Sequence, residues 1–244
     1  MNGPRHDAPD DVDLGRVWIS VAAQVWRRQP GWLERTAGRL LRSPGLARAL
    51  LTTPSLLLPW LLTSVVVLGA GAGATMGSGQ PIVALLAPAV AAAAIAYSYG
   101  PGIDPAWELS SSMAVSDRMV LLVRALAVFA VNAVLGLAAS AVAAAVGSGA
   151  GSGAAVAVTF GWLIPMTAVC AFALAVATVA RSASAGAAAG VAAWLIIVLS
   201  GRVASGHFAA AVTDTGLFLP YLAIGAVCAA VAVYATRTPR GSLG

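Results

Sequence analysis

Residues Met119–Val146 read MVLLVRALAVFAVNAVLGLAASAVAAAV, an apolar run of 28 residues with one charged side chain, Arg124. A helix crosses about 30 Å of hydrocarbon with roughly 20 apolar residues, and at 1.5 Å per residue this run reaches about 42 Å. The helix should therefore overshoot the hydrocarbon by about two turns. Arg124, near its start, can carry its guanidinium to the interface along an apolar stem.

Reading outward, five further stretches have the length and composition of spans: Leu56–Thr75, Pro81–Tyr99, Ala154–Ala180, Ala183–Ser200 and Gly216–Thr236. The whole chain agrees with them. Of 244 residues, 59% are hydrophobic and 9% charged, and the mean hydropathy is +0.87, which excludes an ordinary water-facing surface. The expected fold is all-α: a polytopic membrane protein of six transmembrane helices over residues 52–236. A disordered tail (1–13), a cytoplasmic amphipathic segment (14–51) and a cytoplasmic tail (237–244) complete the expected organisation.

The first apolar run starts too late for a cleaved secretory signal, which predicts a mature chain beginning at Met1. Cys170 and Cys228 are the only cysteines and both fall inside spans, so neither a disulfide framework nor a cysteine-rich metal site is expected.

Sidedness follows from the arginines, because basic residues near span ends stay on the cytoplasmic side. Eight precede the first span, Arg118 and Arg124 open the third, Arg181 separates the fourth from the fifth, and Arg237 and Arg240 follow the sixth. These thirteen share one side and only Arg202 lies on the other. Both termini are thus expected in the cytoplasm of a multi-pass plasma-membrane protein. Tyr97, Tyr99 and Tyr234 fall at cytoplasmic span ends and Tyr221 near the opposite one, as an interfacial aromatic belt requires. A basic face beside anionic headgroups accounts for the net charge of +5 without any nucleic acid.

Two helical patterns precede the spans. In Leu14–Arg28, Leu14, Val17, Trp18, Val21 and Val25 recur at helical spacing. In Trp32–Arg42, Arg35, Arg39 and Arg42 fall on one side and Leu33, Ala37, Leu40 and Leu41 on the other. The second pattern predicts an interfacial helix with its arginines at the headgroups, or a basic helix packed on the chain's own cytoplasmic ends.

Between the second and third spans lies a polar island, Gly100–Arg118, reading GPGIDPAWELSSSMAVSDR. It holds three of the nine carboxylates. Asp104 before Pro105 matches an N-cap followed by proline at the first helical position, and Glu108 then sits in the first turn, where the helix dipole favours an anion. A short helix from Pro105 to about Met113 is predicted, with Ser116 or Asp117 capping the third span. Helix capping and partner docking are both compatible with these residues.

Polar groups inside the spans are few. Asn132 must find a partner on a neighbouring helix or water in a pathway. Gly186 and Gly190 form a GxxxG in the fifth span, and Gly136 with Ser140 a looser pair of small residues, both suited to close helix contact. Pro88 and Pro165 interrupt the second and fourth spans and predict kinks or a substrate path through freed carbonyls.

Catalysis by this chain finds no residues to carry it. There is no lysine, hence no GxxxxGK[ST] phosphate loop. The glycine-rich 147–153 stretch has no preceding strand and reads as a turn. His6 and His207 are the only histidines and cannot form a zinc pair; Ser205 and His207 are too close in sequence for a serine protease across facing spans.

The order of elements, an amphipathic N-terminal helix, two spans, an acidic cytoplasmic insert, three spans, a short outer connection and a last span, resembles the membrane subunit of type 2 ABC exporters. The matching residues are Asp104, Pro105, Trp107, Glu108 and Leu109, then Ser116, Asp117 and Arg118 leading into LLVRAL. The family often has a proline where this chain has Ala114-Val115, and its outer connection before the last span often forms short helices, for which Arg202–Thr215 is small; Gly201–Ala211 could form one re-entrant piece. The resemblance implies that the insert is a coupling helix docking on a separate ATP-binding subunit, and that two membrane subunits, identical or different, pair in a bacterial cell membrane. It also implies that ATP and magnesium belong to the partner subunit, with no cofactor or metal on this chain. The rival reading is a six-span anchor or signalling protein that docks a cytoplasmic partner and transports nothing; a channel ranks below both for want of a filter segment.

Overall fold

The computed structural model describes residues 15–17, 19–20, 31–40, 54–99, 117–146 and 160–236. All its regular structure is helical among those residues, and the chain divides into two units, Met1–Arg48 and Ala49–Gly244.

In the first unit, residues 15–17 and 19–20 are helical and α1 spans Trp32–Leu40. The Arg35 amide closes its first turn on the Gly31 carbonyl at 3.0 Å. Arg39 lies in the last turn, where a cation meets the negative end of the helix dipole.

The second unit holds α2 (Pro54–Ser78), α3 (Ile82–Ala96), α4 (Asp117–Val146), α5 (Leu163–Ala180), α6 (Ala183–Ser205), α7 (Ala210–Thr213), a 3-10 turn (Thr215–Leu217) and α8 (Phe218–Ala235). Five helical stretches among the described residues are long and apolar enough to cross a membrane: 59–78, 118–146, 163–180, 183–205 and 215–235. They make this a membrane protein by length and composition.

The second expected span differs. The run Pro81–Tyr99 contracts to α3, 15 residues and about 22 Å long, because the chain leaves the helix through tight turns, Ser98 N–H to Ile95 O at 2.9 Å and Tyr99 N–H to Ala96 O at 3.1 Å. Yet α3 is the hub of the bundle, packing on α2, α4, α5 and α6. Its Ala91–Ala94 run explains this, since small side chains let several helices approach one axis.

The other ends also shift. The fourth span, expected from Ala154, is helical from Leu163 after a break at Trp162, and Pro165 falls in its first turn. Proline there takes no hydrogen bond from the helix, so it produces no mid-span kink. The fifth continues past Ser200 to Ser205, where Gly206 at φ 79° ends it; the piece expected over Gly201–Ala211 is instead the end of α6 and the separate turn α7.

The core is a small-residue seam. At Gly186 an added Cβ would stand 2.6 Å from both the Ala173 carbonyl oxygen and the Ala177 Cβ; at Gly190 it would stand 2.8 Å from the Ala173 Cβ and 3.1 Å from that of Ala92. Here α6 crosses α5 backbone to backbone while touching α3. The α5–α6 hairpin turns through Arg181, in the left-handed region at φ 53°, and Ser182, whose hydroxyl caps α6 by accepting the Ala185 N–H.

Candidate functional site

Trp194 and Pro88 form one built polar feature. The ring of Pro88 removes the donor that would bond Ala84 and loosens the adjacent carbonyls of α3. The Trp194 indole N–H of α6 reaches the Leu85 carbonyl at 2.6 Å, satisfying a buried donor and locking the two helices. Trp162 and Trp194 are the largest fully buried side chains.

Asn132, singled out by sequence as a pathway or packing residue, is 1% exposed in α4. Its side-chain amide donates to the Val128 carbonyl one turn back at 2.9 Å, and its Oδ1 accepts no hydrogen bond. One turn further on, Gly136 receives the Trp162 ring: a Cβ there would stand 2.5 Å from it. The Trp162 indole N–H and the Ser64 hydroxyl are likewise buried without a partner among the described residues. A buried polar atom without a partner is costly in hydrocarbon, which makes these groups candidates for water or a passing solute.

A cleft opens at the other side of α5. α6 and α8 each pack on α5 but scarcely on one another, leaving between them a cavity of about 620 Å³ with α5 as its floor and the 206–217 segment as its roof. Its walls are apolar, chiefly Phe172, Ile196, Ile197 and Ile224, and among the described residues Asp214 at the roof is its one charged residue. Tyr221 fixes the roof by donating its hydroxyl to the Ala211 carbonyl at 3.0 Å, and Asp214 Oδ1 accepts the Gly216 N–H at 2.9 Å. The sequence analysis did not single out Asp214, although it is the single carboxylate after Asp117.

The coupling residues Asp104, Pro105, Trp107, Glu108 and Leu109 lie outside the described residues, as does Arg42. Arg35 and Arg39 are exposed on α1, and Pro165 is buried in α5. Among the described residues no group of three or more His, Cys, Asp or Glu gathers, and Cys170 and Cys228 are free thiols.

No family model matches this chain, and no curated protein or solved structure matches it. The bundle and its chemistry therefore carry the functional reading.

Proposed function

We propose that this chain is the membrane-spanning subunit of a type 2 ABC exporter, crossing the membrane six times with both termini and the 100–118 island in the cytoplasm. One observation carries the reading. α3 and α4 pack side by side and are joined through the acidic island, and α3 also touches α2, α5 and α6. A partner that moved the island would act on a helix that packs on four others among the described residues. That is the mechanical requirement for coupling a cytoplasmic ATPase to a rearrangement of the spans, since a packed bundle switches between discrete arrangements.

In this reading α3 completes the six crossings, with the turns at 97–99 and the preceding Pro81 extending it toward both interfaces. Asp104, Pro105, Trp107, Glu108 and Leu109 form the docking element; ATP and magnesium are held by the partner, because a lysine-free chain cannot build the phosphate loop. Affinity purification from bacterial membranes tests it. An ATP-binding subunit should co-purify with the wild-type chain and be lost from the Asp104→Lys/Glu108→Lys double variant. Recovery of a cytoplasmic protein without nucleotide-binding motifs would favour the anchoring role instead.

A further inference from the structure

The cleft between α6 and α8 has the form of a ligand site, and its chemistry is one-sided. We propose that it binds an amphipathic organic cation, with the apolar body between Phe172, Ile197 and Ile224 and the positive group beside Asp214. The cavity, about 620 Å³, lies in the size range that encloses a small organic molecule. Ile196 and Ile224, 64% and 54% exposed, form its mouth, so entry is lateral, between the two helices.

Charge selects the occupant. Among the described residues Asp214 is the only charged one lining the cavity, and its Oδ1 accepts a hydrogen bond from the Gly216 N–H. The neighbouring cation does not neutralise it: Arg202 points out of the lining and stacks over the Phe208 ring, 4.3 Å from its centroid. His207 turns its Nδ1 to the Ser205 carbonyl at 2.8 Å. Asp214 is exposed at the roof of the cleft beside its apolar walls, so its carboxylate draws a cation to the mouth of the site and repels an anion. A purely apolar occupant would leave Asp214 unused, which favours a cationic one.

Asp214 also caps the 3-10 turn at Thr215–Leu217, and this shapes the test. Asparagine caps as well as aspartate, so Asp214→Asn removes the charge and keeps the turn. The purified chain in nanodiscs of zwitterionic lipid is titrated with radiolabelled tetraphenylphosphonium and with tetraphenylborate, its anionic counterpart, against empty nanodiscs. The cation should bind saturably and the anion should not. Asp214→Asn should weaken cation binding about threefold to fivefold, the order expected for one exposed ion pair, and Asp214→Glu should retain most of it. Ala193→Phe, which fills the cleft from α6, should abolish saturable binding while the protein elutes and melts as the wild type does.

Equal binding by Asp214→Asn, equal binding of the two ions, or uptake matched by empty nanodiscs would overturn the proposal. So would efficient disulfide cross-linking between copies through Ile196→Cys and Ile224→Cys in a background lacking Cys170 and Cys228, which would assign the cleft to a second copy. The measurement uses this chain alone, so it stands or fails apart from the ATPase partner.

Discussion

Gly186→Ala is the sharpest perturbation of the packing at the centre of the bundle. The added methyl would sit 2.6 Å from the Ala173 carbonyl oxygen and 2.6 Å from the Ala177 Cβ, where relaxed contacts lie at about 3.5–4.0 Å. Neither neighbour can rotate away, since one is backbone and the other is itself a Cβ. The crossing of α5 and α6 must therefore open by roughly 1 Å, a gap that forfeits a quarter to a half of each dispersion contact along the seam. Overpacking of this kind costs about 1–3 kcal/mol. Alanine also gains up to about 1 kcal/mol of helix propensity over glycine, which would mask part of the loss. Gly69→Ala supplies the matched control, because a Cβ at Gly69 in α2 meets nothing within 4 Å. The propensity gain is common to both variants, so their difference isolates the overpacking. At about 2–4 °C per kcal/mol for a chain of this size, Gly186→Ala should melt about 2–12 °C below Gly69→Ala, read as loss of the monodisperse peak on heating in detergent. Equal melting, or Gly186→Ala the more stable, would refute the close crossing.

Other substitutions should separate packing from polar function. Trp194→Phe keeps most of the ring but removes the hydrogen bond to the Leu85 carbonyl, and should cost about 1 kcal/mol in the same assay, against roughly 3–5 kcal/mol for Trp194→Ala. Asn132→Leu removes a buried amide whose oxygen lacks a hydrogen bond, so stability should stay within about 1 kcal/mol of wild type; if the residue lines a path, uptake or efflux in vesicles falls while melting does not. Arg181→Gly relieves a non-glycine residue at φ 53° and should stabilise the α5–α6 hairpin by about 1 kcal/mol, seen as a small rise in melting temperature.

Much of the bundle was legible because hydrophobic runs and small-residue spacing are local. The GxxxG at Gly186 and Gly190 was visible as a pattern, and it seats both glycines on the Ala173–Ala177 face of α5. What the pattern could not show was its partner. The bond from Trp194 to Leu85 joins residues 109 apart, and no local rule links a tryptophan in one span to a carbonyl beside a proline in another. Pro165 shows the limit of reading a proline without its register: the same residue that would kink a long span is harmless in a first turn. The second span was overestimated because Tyr97-Ser98-Tyr99 extends an apolar run while the backbone has already turned. The cleft stayed hidden for another reason. It arises where α6 and α8 diverge, and Gly206, Tyr221 and Asp214, which shape its roof, look unremarkable in sequence.

The docking role of the island depends on which side of the membrane each end of the bundle faces. Single cysteines introduced at Ser111 and Ser148, with Cys170 and Cys228 replaced by alanine, test this most directly by reaction with a membrane-impermeant maleimide in intact and permeabilised cells. Ser111→Cys should label only after permeabilisation, and Ser148→Cys should label in intact cells. Labelling of Ser111→Cys from outside, with Ser148→Cys protected, would contradict the orientation and remove the island from the reach of any cytoplasmic ATPase.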